Sequence, residues 1–184
     1  MSDTPIQVAV VDDQALVRSG FAMLINSQPD LNVCAEIDNG HAACASNAVR
    51  NADVVLMDVR MPVMDGIEAT KQLLSTSAEK HPKILVLTTF DLDEYVLAAI
   101  EHGASGFLLK DTPPEQLLDA IRTVHRGDGV IAPSATKRLI EKLGSNLAQK
   151  QEADQEILDR VSQLTNREHE VYCLIAQGAS NQEI

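Results

Sequence analysis

Asp53-Val54-Val55-Leu56-Met57-Asp58-Val59-Arg60-Met61-Pro62 is the stretch on which the fold turns. Val54 to Met57 and Val59 are apolar, and one acid, Asp58, interrupts them. A short apolar run that ends at a Pro-bearing segment reads as a buried parallel strand. A carboxylate at the end of such a strand is unfavourable unless it is partnered. In open α/β sheets the carboxyl ends of strands are where ligands and chemistry sit. Asp58 is therefore the residue to explain.

Upstream, Ile6-Gln7-Val8-Ala9-Val10-Val11 predicts a first buried strand that runs into two adjacent acids, Asp12 and Asp13. Val17, Phe21, Leu24 and Ile25 form one helical stripe, stopped by Pro29-Asp30. Leu31–Ile37 predicts strand two, nearer the sheet edge, and Asn39-Gly40 turns the chain into an Ala-rich helix from His41 to Arg50. Downstream, Asp65 is suited to cap the next helix. Lys83–Thr88 predicts strand four, ending in hydroxyls, and Asp91–His102 a helix closed by Gly103. Gly106–Lys110 predicts strand five, ending in a cation. Pro113-Pro114 opens a helix carrying Leu117, Leu118, Ile121 and Val124, which stops near Gly127. Strand and helix alternate five times. That pattern predicts a five-stranded parallel, doubly wound α/β sheet with helices on both faces.

The chain changes character after about residue 130. Pro133-Ser134 predicts a helix with Leu139, Ile140 and Leu143, broken at Gly144-Ser145-Asn146. The Gln/Lys/Glu-rich stretch from Gln149 to Gln155 reads as linker or as an exposed helix continuing to Leu164. Thr165 and Glu168 then stand in capping-box spacing before Val171, Leu174 and Ile175. The expected organisation is one domain over 1–130, a helical linker over 131–163 and the start of an all-α element over 164–184.

Composition narrows the function. A net charge of −12 argues against a general nucleic-acid binder, although it leaves room for one small DNA-binding element. Cys34, Cys44 and Cys173 form no CxxC pair, which argues against a disulfide framework or a zinc site, and the five His show no paired-ligand spacing. No apolar run spans a bilayer and the N-terminus has no signal-peptide pattern, so the expectation is a cytoplasmic protein without a membrane partner.

The predicted topology gathers Asp12, Asp13, Asp58, Thr88 and Lys110 at neighbouring strand ends. Three carboxylates in one pocket repel each other. A hard divalent cation removes that cost, and Mg²⁺ suits a site offering carboxylates and room for a phosphate oxygen. The Thr88 hydroxyl and the Lys110 ammonium match a phosphoryl group. The implied chemistry is in-line phosphoryl transfer onto Asp58, with Lys110 offsetting charge on the equatorial oxygens.

Val11-Asp12-Asp13, Met57-Asp58-Val59-Arg60-Met61-Pro62 with Asp65-Gly66, Leu87-Thr88-Thr89 and Gly106-Phe107-Leu108-Leu109-Lys110 resemble the receiver domain of bacterial two-component response regulators, over residues 6–127. The resemblance implies a flavodoxin-like fold and an Asp58 phosphorylated by a sensor histidine kinase. It implies Mg²⁺ held by Asp12, Asp13, the Asp58 side chain and the Arg60 backbone carbonyl. It also implies a switch in which Thr88 and Phe107 couple the phosphoryl group to the surface around strands four and five. Arg60 and Phe90, two residues after Asp58 and Thr88, flank the attacking-water path in this family, and their bulk implies slow loss of the phosphoryl group. Lys110 is followed by Asp111, not by the proline many receivers have there, so a cis bond, at ~2.5–4 kcal/mol without proline, is not expected.

Leu164-Thr165-Asn166-Arg167-Glu168 through Gly178, with Ser180–Ile184, resembles the start of a LuxR-type helix-turn-helix, which makes the whole similar to the NarL/FixJ class. The match stops before the recognition helix that enters the major groove. The expectation is thus a C-terminally incomplete regulator with no DNA-contacting residue in this chain. Homodimerisation on phosphorylation and promoter DNA as a partner of the full-length protein are further implications. Activity as an enzyme is expected to go no further than self-phosphorylation and self-dephosphorylation. The competing reading is an aspartate-nucleophile phosphatase of haloacid-dehalogenase type. It needs a second acid two residues after the nucleophile, where this chain has Arg60. A dinucleotide-binding domain is excluded because no GxGxxG follows the first strand.

Overall fold

The computed structural model describes residues 4–75, 81–89 and 93–131, together with positions 136 and 168. The elements are β1 Ile6–Val11, α1 Ala15–Asn26, β2 Leu31–Ile37, α2 Gly40–Ala45, α3 Asn47–Arg50, β3 Val54–Asp58, α4 Gly66–Leu74, β4 Lys83–Thr88, α5 Asp93–Glu101, β5 Gly106–Leu109, α6 Pro114–His125 and β6 Val130–Ile131. They form a parallel sheet in the order β2-β1-β3-β4-β5-β6. Chain order reverses between β1 and β3, so the crevice outside their carboxyl ends is the topological switch point. Asp12 follows β1 and Asp58 ends β3. The expected linker and helix-turn-helix residues, and Phe90, lie outside the described residues.

The central strands β1, β3 and β4 are buried because helices cover the sheet. All five residues of β3 are buried, which explains their continuous apolar character. On α6, Leu117, Leu118, Ile121 and Val124 are all buried. Each such side chain contributes about 1.5–3 kcal/mol by leaving water. The glycine stops act as expected: Gly103 and Gly127 have φ of 88° and 100°, the left-handed region that Gly enters without steric cost.

One expectation needs correction. The helix expected over His41–Arg50 is two helices, because Ser46 is extended at ψ 120° and its side chain accepts from the Val49 N–H. Ser46 thus acts as a fresh N-cap inside the Ala-rich run, while the Asn39 side chain caps the first piece through the Ala42 N–H. The five expected strands are all present, and a short sixth joins them. Val130 and Ile131 pair with Gly106 and Phe107 along the free edge of β5. A Cβ on Gly106 would lie 2.7 Å from the Val130 carbonyl oxygen, so this approach requires glycine.

Candidate phosphoacceptor site

The pocket is built from three loops that leave the sheet at its carboxyl end. The first follows β1. Asp12 is buried there, and its Oδ1 accepts from the Gln14 N–H at 2.9 Å, an Asx-type turn that leads the chain into α1. Asp13, its neighbour, is exposed. The second follows β3. Asp58 is only 4 % exposed. Beyond it, the Met64 N–H bonds the Pro62 carbonyl at 2.8 Å around Val63, whose φ is 70°. That three-residue γ-turn is a strained arrangement for a β-branched residue. Gly66 then starts α4. Its N–H bonds the Val59 carbonyl at 2.9 Å and its carbonyl accepts from the buried Thr70 hydroxyl at 2.7 Å. Asp65 caps the helix by accepting from the Glu68 N–H at 2.8 Å.

The third loop follows β5 and delivers Lys110. Its Nζ lies 2.7 Å from Asp12 Oδ2 and 3.0 Å from Asp58 Oδ2. The Lys110 side chain is 8 % exposed, so this ion triad is largely shielded from water. The Lys110 N–H donates to the Thr88 carbonyl at 2.8 Å, which ties the cation to the end of β4. The Lys110–Asp111 bond is trans.

The electrostatics follow from burial and pairing. Desolvation raises the Asp58 carboxyl above its usual range; hydrogen bonding and charge from Lys110 oppose this, and the charges of Asp12 and Asp13 add to it. Burial disfavours the Lys110 ammonium, but hydrogen bonds to Asp12 and Asp58 outweigh that and hold it above its usual value. Asp12, Asp13 and Asp58 each offer a carboxylate oxygen, and these atoms lie within 4.8 Å of one another. One lysine cannot neutralise three acids. The donor set is all hard oxygen, which fits a divalent cation.

The residues expected at the site divide as follows. Asp12, Asp58 and Lys110 touch, and Asp13 completes the acid cluster. Thr88 is buried at the end of β4, one residue past Leu87, the register partner of Asp58. Phe107 is wholly buried in the middle of β5. Arg60 is exposed, and its guanidinium carbon sits 5.7 Å from the centre of the Tyr95 ring. Sequence reasoning missed the structural part played by Gly66. A Cβ there would fall 1.9 Å from the Asp58 carbonyl oxygen, so this glycine lets α4 begin directly against the end of β3. An Asp-Gly pair shortly after a strand-end acid was the available signal.

A model of the response regulator receiver domain matches residues 8–122. The chain is a response regulator. The transcriptional regulatory protein YxjL of Bacillus subtilis (strain 168) is 42% identical over 184 residues, which is 100% of this chain and 81% of that protein. The oxygen regulatory protein NreC of Staphylococcus carnosus (strain TM300) is 36% identical over 180 residues, 97% of this chain and 81% of that one. The solved structure of a LuxR-family two-component response regulator from Aurantimonas sp. SI85-9A1 aligns with a TM-score of 0.69 at 29% identity, covering 76% of this chain and 98% of that one. The response regulator thus belongs to the LuxR/NarL class, carries the acid triad typical of a receiver metal site, and is a regulator rather than a catalytic enzyme. A regulator of this kind implies a cognate histidine kinase. The phosphatase reading is set aside. Among the described residues no helix is long and apolar enough to cross a membrane.

Proposed function

We propose that Asp58 is the phosphoacceptor of this response regulator. The observation that carries the reading is the buried Lys110 ammonium within 3.0 Å of Asp58 Oδ2 and 2.7 Å of Asp12 Oδ2. The P–N bond of a phosphohistidine on the kinase breaks as a P–O bond forms to the Asp58 carboxylate. Asp12, Asp13, Asp58 and the Arg60 backbone carbonyl would hold Mg²⁺. When bound, it supplies positive charge against the phosphoryl oxygens. Lys110 holds Asp58 in place before transfer and offsets the added charge afterwards. Burial keeps water from competing with the carboxylate for the donor. Arg60, with Phe90, slows hydrolysis of the acyl phosphate.

Phosphorylation adds about −2 charge at one buried point. In this reading Thr88 and Phe107 convert that charge into a changed surface around β4, β5 and α5. Homodimerisation and promoter binding by the full-length regulator follow, in the cytoplasm. Residues 1–130 serve as receiver, 131–163 as linker and 164–184 as the beginning of the LuxR-type domain. Incubation with acetyl phosphate and Mg²⁺, followed by intact mass, tests the assignment. An increment of one phosphoryl group that disappears in Asp58→Asn supports it; an increment that persists in the variant refutes it. Beryllofluoride should shift size-exclusion elution towards a dimer, and an unchanged elution would count against the switch. A phosphoryl half-life of seconds would remove the role given to Arg60 and Phe90.

A further inference from the structure

We propose that Arg18 is a positioning residue for the metal site, acting through Asp12. The inference rests on the divalent-cation reading of the acid triad and goes beyond it to a residue that reading leaves out.

Asp12 is held at every polar atom. Its N–H donates to the Ile37 carbonyl at 3.0 Å. Its Oδ1 accepts from the Gln14 N–H at 2.9 Å, and its Oδ2 contacts Lys110 at 2.7 Å. Its carbonyl oxygen accepts from Arg18 Nη1 at 2.6 Å. A cation seated among the acids competes directly with the Lys110 contact. The orientation of Asp12 in the loaded site then depends on the remaining three. Two of those are main-chain donors or acceptors fixed by the sheet and the turn. Arg18 provides the third, and it is the one that a side-chain substitution can remove.

The arm that makes this bond has a rigid base. The Arg18 N–H donates to the Gln14 carbonyl at 3.0 Å, so Arg18 stands in the first hydrogen-bonded turn of α1. From there its guanidinium reaches back six residues to the 12–14 loop that follows β1, where it meets the Asp12 carbonyl. That loop carries two of the three acids. A charged donor on a carbonyl makes a short, directional bond, and partners behind first ligands fix their orientation. The guanidinium charge itself opposes a cation nearby, so geometry and charge pull in opposite directions. Salt separates them, because screening weakens the charge effect and leaves a hydrogen bond in place.

The test titrates Mn²⁺ alone into the full chain and reads free Mn²⁺ by electron paramagnetic resonance at 0.3 M salt. Arg18→Met is expected to weaken binding about tenfold, the lower end for loss of such a supporting partner. Arg18→Lys keeps the charge and one donor, and is expected to fall between. Acetyl phosphate labelling should need correspondingly more Mg²⁺ for half-maximal rate, with the rate at saturating Mg²⁺ unchanged. Melting in EDTA reports any structural loss separately. Equal Mn²⁺ affinity in wild type and both variants overturns the proposal, whatever happens to the melting temperature. If Arg18→Met does not fold, Arg18→Lys alone decides: wild-type affinity refutes, weakened affinity with an unchanged EDTA melt supports. Absence of Mn²⁺ binding in the wild type, or binding that survives Asp12→Asn, overturns the metal reading itself.

Discussion

Gly66→Ala should damage both the stability and the chemistry of the receiver, for one geometric reason. The new Cβ would stand 1.9 Å from the Asp58 carbonyl oxygen and 2.9 Å from its carbonyl carbon. Carbon and oxygen do not approach that closely, so α4 and the end of β3 have to part by about an ångström. The obstacle is main chain at the end of a buried central strand, not the tip of a flexible side chain. Overpacking of this kind costs about 3 kcal/mol, the upper part of the usual range. Alanine's better helix propensity returns at most about 1 kcal/mol. The net loss of about 2 kcal/mol corresponds to a Tm lower by roughly 6–10 °C for a domain of this size. A misplacement of about 1 Å at a reacting group costs on the order of a hundredfold in rate, and acetyl phosphate labelling should slow accordingly. Differential scanning fluorimetry and time-resolved intact mass read the two effects. A variant that melts within a degree of wild type and labels at the wild-type rate would refute the reasoning, since the close approach could then not be real.

Three further outcomes follow from the ion pairs. Lys110→Met leaves Asp12 and Asp58 buried without a cation, which should cost about 3 kcal/mol in the metal-free protein; millimolar Mg²⁺ should recover part of it, and denaturant titration with and without Mg²⁺ checks this. Asp58 has its carboxyl raised, first by burial, so the folded state holds its proton longer than the unfolded chain. Its ionisation therefore removes stability as pH rises through the unfolded value and up to the folded one. Asp58→Asn in EDTA should melt higher than wild type at neutral pH, with the gap closing in acid; a lower melt at pH 7 would contradict it. On the opposite side of the balance, Arg122 grips Asp30 through Nε at 2.7 Å and Nη2 at 2.9 Å, and that hydrogen bonding lowers the Asp30 carboxyl below its usual range. The stabilisation is present above the unfolded value and lost as pH falls through the folded one. Because the pair is half open to solvent, Arg122→Ala should cost only about 0.5–1 kcal/mol at pH 7, and the two proteins should converge in stability at strongly acid pH.

Much of this was legible in the sequence because the physical signals were local. Lys83–Thr88 reads as a strand from its apolar run and proves to be one over those bounds. The stripe Leu117, Leu118, Ile121, Val124 is the buried face of α6. The strand-end position of Asp12, Asp58 and Lys110 follows from topology once five strands alternate with helices. What the sequence hid is tertiary. Ser46 looked like one more small residue in an Ala-rich helix, and only its capping bond to Val49 reveals a break. Val130-Ile131 is too short to announce a strand, and it exists because Gly106 leaves the edge of β5 bare. Within the site, the sequence suggests Lys110 as a partner for a phosphoryl group, and the structure adds that it clasps two of the acids together. Arg18 gave no signal at all, because its partner is a main-chain oxygen.

The small sixth strand has a mechanical meaning. Phe107 pairs with Val86 on one side and with Ile131 on the other. The strand that leads to Lys110 is thus laced directly to Val130 and Ile131 at the edge of the sheet. No helix or hinge stands between β5 and that edge strand; main-chain pairing joins them directly. The acid cluster stands at the carboxyl end of β5 and the two-residue strand on its flank, so the two are neighbours on one ladder.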